Sequence, residues 1–261
     1  GVAGVAYATV IATIISAIAC WSILWKKVPI IRPTRETLKP DKKIAGVIVR
    51  IGIPSALMSS TNMIGILVVQ TLVNGFTTAT LPVMAAYAAA TKIEAMVSYP
   101  PGGLSQGMQI LAGQNAGAGK FERVGQGLLA AIKLIAVYSV FSAAILIVFG
   151  RYLMGFFTST DITIDIGYSY LFITAIGVFF CGVVFTVRYT LNGAGDASAS
   201  AILSIVELIS RIVCAYGFSH FTPLGYIGIF LGTPCGWLIA SIVGVVRYKG
   251  GKWKQKRIIK E

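Results

Sequence analysis

The recurrence of apolar runs of about 20 residues, separated by short loops, constrains this chain more than any other feature. A helix of that length crosses a hydrocarbon core of about 30 Å. The chain has 261 residues, of which 56% are hydrophobic and 12% are charged, so the runs predict a polytopic all-α membrane protein rather than a large soluble helical protein. Seven spans are predicted, at approximately 3–25, 46–73, 80–114, 124–149, 165–190, 197–218 and 224–247.

Basic residues give the chain a net charge of +13, and they concentrate in 26–50 and 247–261, next to membrane-length runs. This distribution indicates membrane topology rather than nucleic-acid binding, because Lys and Arg accumulate in cytoplasmic loops. Residues 26–45 are therefore expected to be a basic cytoplasmic linker and 248–261 a basic cytoplasmic tail, with a six-helix unit at 46–247 between them. The chain is expected to lie in the plasma membrane with its C-terminus in the cytoplasm.

The third span is interrupted by "PPGG" at 100–103 and reads as either two spans or one long, kinked helix. Two spans would invert everything that follows and place the basic tail outside the cell. The positive-inside rule therefore favours a single kinked span. The prolines within the second and third spans, Pro54, Pro100 and Pro101, free backbone carbonyls. They are either static structural kinks or candidate hinges in a moving helix.

No pattern in the sequence supports an enzyme. The single histidine and four scattered cysteines match no zinc-site spacing, so no metal site is predicted. The stretch "GQNAGAGK" lacks the spacing of a phosphate-binding loop, since Gln114 stands where the first glycine is required. No cofactor is expected.

Glu94 is the candidate ion- or substrate-binding residue, because a carboxylate in the middle of a span should face protein or water. Helical spacing places Tyr87, Thr91 and Ser98 on its face, which is polar or small, as expected of a cavity wall. Lys92 points about 160° away and cannot pair with Glu94 from the same turn. Glu94 therefore binds a proton, a metal cation or a cationic substrate, or else pairs structurally with a basic residue of another helix.

Other polar residues within the spans give weaker indications. Glu207 and Arg211 are spaced i, i+4 in the favourable order and are expected to form a structural ion pair. Arg188 lies near a cytoplasmic end, where its long side chain can reach water. Asn62 and Gln70 of the second span can bond to another helix or to a ligand.

Five motifs in series resemble the multidrug and toxic compound extrusion (MATE) transporters. The segment "GQNAGAGKFERV" resembles their VGQN-(L/I)-GAGK-x-E-(R/K)-A stretch, and "RYTLNGAGD" their R-x-x-L-(Q/N)-G-x-GD turn. The remaining three motifs are "GVAGVAYATVIA", "GIPSALMSS" and "YIGIFLGTPCGWLI". The resemblance covers essentially the whole chain, in order.

What the resemblance implies is an antiporter of two six-helix lobes that exports cationic or amphiphilic compounds in exchange for H⁺ or Na⁺. Residues 1–25 would be the sixth helix, belonging to an incomplete N-terminal lobe, and 46–247 the C-terminal lobe, so that the missing lobe would be a partner. Glu94 would lie in the eighth helix. Arg188, Glu207 and Arg211 are similar to an Arg…Glu-x-x-x-Arg pattern of one bacterial branch, which implies that these three residues are structural ion-pair candidates. A lipid-linked oligosaccharide flippase of the same superfamily, and a non-functional fragment or membrane scaffold, are the alternatives.

Overall fold

A computed structural model of the chain describes residues 2–28 and 42–255, and all the regular secondary structure within these ranges is helical. The seven α-helices are α1 (Val2–Lys27), α2 (Lys42–Gly75), α3 (Val83–Gly117), α4 (Phe121–Gly155), α5 (Asp161–Gly193), α6 (Ala197–Phe221) and α7 (Tyr226–Lys249). A short 3₁₀-helix, Lys252–Gln255, follows α7. The predicted all-α membrane fold is thus confirmed.

The chain divides into two compact units, Gly1–Ile48 and Val49–Glu261. The first contains α1, which ends in Lys26 and Lys27. Most of the predicted linker, residues 29–41, lies outside the described residues. Both ends of that predicted linker lie in helices, because α1 continues to Lys27 and α2 begins at Lys42.

The third predicted span is one continuous helix, α3, which runs through Pro100 and Pro101. The other six α-helices are each long and apolar enough to cross a membrane. α3 is not among those six; it carries Lys92, Glu94 and several polar side chains. It is therefore the helix of the second unit whose composition departs most from a lipid-facing span.

α5 lies at the centre of the second unit, where it packs against α3, α4 and α7. Its inward residues, such as Tyr170, Leu171 and Val184, are almost completely buried. By contrast, α4 presents a face of exposed apolar side chains that includes Val137, Phe141 and Val148. An apolar face of this kind is expected to contact lipid.

α6 and α7 pack closely because α7 carries a row of small residues with a spacing of four. A Cβ at Gly232 would lie 2.8 Å from the carbonyl oxygen of Arg211, and a Cβ at Gly228 would lie 2.5 Å from the backbone of Phe218. Backbones approach this closely only where side chains are absent, which is the usual basis of tight helix pairing in membranes.

The ends of α3, α5 and α7 lie on one side of the second unit. Arg247 of α7 forms an ion pair of 2.7 Å with Asp196, which follows α5 and caps α6. Trp253 of the predicted tail is buried against Phe121 and Tyr248. The first part of this tail is therefore packed against the helices; residues 256–261 lie outside the described range.

Candidate functional site

Glu94 lies within α3 and is half-buried, and its carboxylate is held from the neighbouring helix α5. The hydroxyl of Tyr170 donates a hydrogen bond to Oε2 of Glu94. Lys92, two positions away, is exposed, as its direction on the helix predicts. The charged residue that acts electrostatically on Glu94 is Arg211 of α6.

An aromatic cluster surrounds the hydrogen-bonded pair. The ring of Tyr170 makes edge-on contacts with Tyr87 of α3, at 5.3 Å between centroids, and with Phe230 of α7, at 5.2 Å. All three rings are buried. The cluster fixes the direction of the Tyr170 hydroxyl, because rings packed on several sides have few alternative rotamers.

The face of α3 that carries Glu94 is packed against the rest of the second unit over much of its length. Tyr87 is buried in the aromatic cluster, and Thr91 donates to the carbonyl of Ala88 at 3.1 Å. Glu94, Thr91 and Ser98 remain half-buried. This short stretch of the helix therefore keeps part of its surface accessible.

The two candidate residues on α2 lie apart from this face. Asn62 is exposed and lines a small cavity beside Glu207 and Arg211. Gln70 is half-buried and lies eight residues further along α2. Among the described residues, no side-chain hydrogen bond joins either amide to Glu94.

Glu207 is buried between two arginines. Its Oε1 accepts from Nη2 of Arg211 on the same helix at 2.6 Å, and its Oε2 accepts from Nη2 of Arg188 on α5. The exposed fractions of Arg188, Glu207 and Arg211 are 5%, 5% and 7%. With two guanidinium groups and one carboxylate, this arginine–glutamate triad (Arg188, Glu207, Arg211) carries a formal net charge of +1.

Arg188 does not reach water at a membrane surface; it is buried and pairs with Glu207, as its place among the structural ion-pair candidates predicts. Glu207 offers an ionic partner in the interior, and the guanidinium carbon lies 5.7 Å from the centre of the Phe185 ring. A desolvated guanidinium is stabilised by a hydrogen-bonded carboxylate and by an aromatic face. These contacts hold Arg188 inside the helix bundle.

The candidate hinge residues Pro100 and Pro101 are accommodated within α3, and Pro54 within α2. Pro101 leaves the carbonyl of Val97 without its intrahelical donor, and the hydroxyl of Tyr138 on α4 donates to it at 2.8 Å. Ser105 donates to the carbonyl of Pro101 at 2.7 Å and lies 3.0 Å from the hydroxyl of Thr186 on α5. Tyr138 of α4 and Ser105 of α3 itself thus bond the backbone around the prolines, and Thr186 of α5 contacts the Ser105 hydroxyl.

Three residues of the site, Tyr170, Phe230 and Tyr138, are missing from the sequence predictions. Each lies in an apolar run, where a tyrosine or phenylalanine is an ordinary membrane residue. A buried tyrosine does require a hydrogen-bond partner, so Tyr170 and Tyr138 carried a weak signal. In the described part of the chain, no group of three or more His, Cys, Asp or Glu side chains could hold a metal ion.

Comparison with known proteins identifies relatives over the whole chain. It is 26% identical over 263 residues to the "Probable multidrug resistance protein YoeA" of Bacillus subtilis, covering 99% of this chain and 56% of that protein. It is 28% identical to "Probable multidrug resistance protein YpnP" of the same organism, covering 100% of this chain and 57% of that protein. The chain thus spans about half the length of the curated relatives it matches.

Solved structures have the same fold. A "Crystal structure of MATE in the straight conformation" superposes with a TM-score of 0.83 at 23% identity, covering 96% of this chain and 56% of that chain. A structure described as "Reverse polarity of binding pocket suggests different function of a MOP superfamily transporter from Pyrococcus furiosus" gives a TM-score of 0.81 at 22% identity, covering 97% of this chain and 55% of that chain. The MatE family model matches residues 51–217, which is more than half of the sequence. The chain therefore belongs to the MatE family of multidrug efflux transporters.

Proposed function

We propose that this chain is the C-terminal portion of a secondary antiporter that exports cationic or amphiphilic compounds in exchange for H⁺ or Na⁺. The names of the curated relatives as multidrug resistance proteins support the substrate class. The coverage of about half of each relative supports an N-terminal lobe of the same protein as the partner of this chain. The proposal includes no cofactor other than the coupling ion, H⁺ or Na⁺.

The observation that carries the proposal is the position of Glu94. An ionisable residue within a membrane helix is costly and is by default a functional candidate. The Tyr170 hydroxyl fixes the Glu94 carboxylate, while the half-buried stretch around Thr91 and Ser98 leaves it reachable. An ionised carboxylate held in this way binds Na⁺ or a cationic substrate, and protonation releases the bound cation.

The prolines that follow Glu94 suggest how the site changes with its occupancy. Pro100 and Pro101 come about two turns after Glu94 in a helix that is supported there by Tyr138 and Ser105. Bending at this point would move Glu94 relative to α5. Coupled to rocking of two lobes, such bending exposes the site to either side of the membrane in turn.

The test is efflux of a cationic dye from energised vesicles that contain the full-length protein with Glu94→Gln. Gln keeps the shape of the side chain but removes its charge and its titration, so we expect normal insertion and abolished or sharply reduced coupled export. Glu122→Gln, at the exposed start of α4, is the matched control and should export normally. Pro100→Ala should have a smaller, kinetic effect. Normal export by Glu94→Gln with unchanged pH dependence would exclude Glu94 as the coupling residue.

A flippase for lipid-linked oligosaccharides is the alternative within the superfamily, and it requires a cationic cavity that accommodates a pyrophosphate. Glu94 provides a carboxylate within the membrane, which suits a cation rather than a pyrophosphate. A scaffold without transport is the alternative of another class, and it predicts that no substrate changes any property of the protein.

We further propose that the protein lies in the plasma membrane with the end of α7 in the cytoplasm. The basic residues after α7, among them Lys249, Lys252 and Lys254, support this orientation. The loop between α4 and α5 then faces the outside.

A further inference from the structure

Charged residues show where α4 and α7 leave the membrane on one side of the second unit. Residues 226–246 of α7 carry no charge and are followed by basic residues. Residues 134–150 of α4 carry no charge either, and Lys133 precedes them. Because uncharged runs of this kind occupy the hydrocarbon core, both helices reach the membrane surface at these basic residues. The start of α4, residues 121–132, therefore lies at or beyond that surface.

A groove opens at this surface between the start of α4 and the end of α7. Its volume is about 520 Å³, within the range of about 300–1,000 Å³ that is typical of small-molecule sites. Trp253 forms one wall; it is buried, and its Nε1 donates to the carbonyl of Tyr248 at 2.9 Å. Its ring stacks on Tyr248 at 5.1 Å and meets Phe121 edge-on at 5.7 Å between centroids. This wall is fixed by packing, so the groove is formed before any ligand binds.

Three lysines lie in or next to the groove. Lys249 and Lys254 line it together with Leu129. Lys133 follows Leu129 by four positions, so it lies on the same face of α4, one turn nearer the membrane. Side chains of a helix lean towards its N-terminus, which directs the Lys133 ammonium out of the hydrocarbon and towards the groove. All three lysines are exposed, and none forms an ion pair with a carboxylate of the described residues.

The charge of the groove is positive at its membrane end. Glu122 is the one carboxylate among the described residues that line it. It precedes Lys133 by three helical turns, about 16 Å along the axis of α4. Its Oε1 accepts from Nε2 of Gln126 at 3.4 Å rather than from a lysine. Three lysines against one distant carboxylate favour a ligand with a net negative charge.

The face of α4 that carries Leu129 and Lys133 continues into the lipid-facing surface. Val137 and Val140 follow on this face, with exposed fractions of 72% and 74%. From the membrane outwards, the order is therefore apolar side chains, a cation and then a polar groove. A phospholipid has its acyl chains, phosphate and headgroup in the same order.

We propose that the groove binds an anionic phospholipid of the surrounding membrane. Lys133 and Lys249 hold the phosphate, the headgroup enters the groove beside Lys254, and the acyl chains lie along Val137 and Val140. Basic pockets between helices at a membrane surface suit such headgroups. The site is separate from Glu94, and lipid binding there does not depend on coupled export.

The test is thermal unfolding of the full-length protein in detergent micelles that contain added lipid. Phosphatidylglycerol should raise the melting temperature by about 3 °C relative to phosphatidylcholine with the same acyl chains. Soluble glycerol 3-phosphate should give no such shift, because it lacks the chains that α4 contacts. Lys133→Gln combined with Lys249→Gln should lose most of the difference between the two lipids. Native mass spectrometry should show that this double variant also loses a bound phosphatidylglycerol, a readout that does not depend on its stability.

Lys252→Gln is the matched control, because it removes the same charge from an exposed position at the same end of the chain but outside the groove lining. It should keep both phosphatidylglycerol effects. Equal melting temperatures in the two lipids would overturn the proposal, and so would an equal shift with glycerol 3-phosphate, which would make the ligand a free phosphate. Effects that survive in the double variant, or that Lys252→Gln loses to the same extent, would assign them to the general basic surface and overturn it equally.

Discussion

The hydroxyl of Tyr138 on α4 donates a hydrogen bond of 2.8 Å to the carbonyl oxygen of Val97 on α3. Val97 lies four residues before Pro101, which has no N–H to offer to that carbonyl. In the bilayer core water cannot replace the missing donor. Tyr138 thus supplies from another helix the hydrogen bond that the proline removed, and α3 remains continuous.

This relationship predicts a non-additive pair of substitutions. Tyr138→Phe should lower the free energy of unfolding by about 1 kcal/mol, because the Val97 carbonyl loses its donor. In a Pro101→Ala background the residue at 101 regains an N–H that can reach Val97, so Tyr138→Phe should then cost much less. Thermal unfolding of the four proteins in detergent measures the difference.

Tyr152→Phe, at an exposed tyrosine of the same helix, is the control for loss of a hydroxyl alone. It should leave stability unchanged. Equal costs of Tyr138→Phe in both backgrounds would show that the tyrosine does not act through the carbonyl freed by proline.

The triad predicts that substitutions of its three members differ in their cost to stability. Glu207→Gln leaves two buried guanidinium groups without a carboxylate and should cost about 3–5 kcal/mol. Arg188→Gln or Arg211→Gln leaves one arginine paired with Glu207. That pair has no net charge, so either substitution should cost less. The yield of folded protein in size-exclusion chromatography ranks the three variants.

The ion pair between Arg151 and Asp165 is the exposed counterpart, with side chains 60% and 54% accessible. Asp165→Asn should cost at most about 1 kcal/mol, since water solvates both partners of an exposed pair.

If Arg211→Gln proved as damaging as Glu207→Gln, the excess positive charge would not be what limits stability.

The close contact of α6 with α7 predicts that Gly232 tolerates no side chain. Gly232→Ala would place a methyl group 2.8 Å from the Arg211 carbonyl oxygen and 2.9 Å from Cα of Ala215, so the helices must separate. We expect a loss of about 1–3 kcal/mol in thermal unfolding. Gly217→Ala on α6, whose Cβ would have no neighbour within 4 Å, should be neutral or stabilising by up to about 1 kcal/mol. Similar melting temperatures for the two variants would argue against tight packing at Gly232.

The sequence predicted the number of helices and the single-helix nature of α3, because apolar run length and basic-residue distribution are local properties. It also predicted that Glu207 and Arg211 could pair, since an i, i+4 spacing fixes their distance within one helix. Long-range partners were less accessible. Tyr170 is 76 residues from Glu94, and Tyr138 is 41 residues from Val97. Such contacts depend on the rotation and depth of each helix in the bundle, which tertiary packing sets. The position of Arg188 near a cytoplasmic end likewise gave no sign of its burial, because its partner Glu207 lies on another helix.

Membrane orientation is tested by single cysteines on opposite sides of the second unit. Lys252→Cys, in the exposed part of the 3₁₀-helix, should react with an impermeant thiol reagent only after the cells are broken. Ser159→Cys, in the exposed loop between α4 and α5, should react in intact cells. Both variants are made with Ser at the four native cysteine positions. Labelling of Lys252→Cys in intact cells would reverse the orientation inferred from the basic residues.

The last prediction concerns the hydrogen bond between Tyr170 and Glu94. If Glu94 is the coupling residue, its carboxylate must be held where the cation arrives, and Tyr170 is a positioning residue that acts through it. Tyr170→Phe keeps the ring and its contacts with Tyr87 and Phe230, so the aromatic cluster should survive. We expect normal insertion, reduced export and an altered dependence of export on external pH or Na⁺. Tyr168→Phe is the matched control, because it removes from the same helix a hydroxyl that bonds the Ile147 carbonyl at 3.0 Å. That control should retain the wild-type ion dependence even where it lowers stability. Identical ion profiles for Tyr170→Phe and the wild-type protein would show that the hydrogen bond to Glu94 only stabilises the fold.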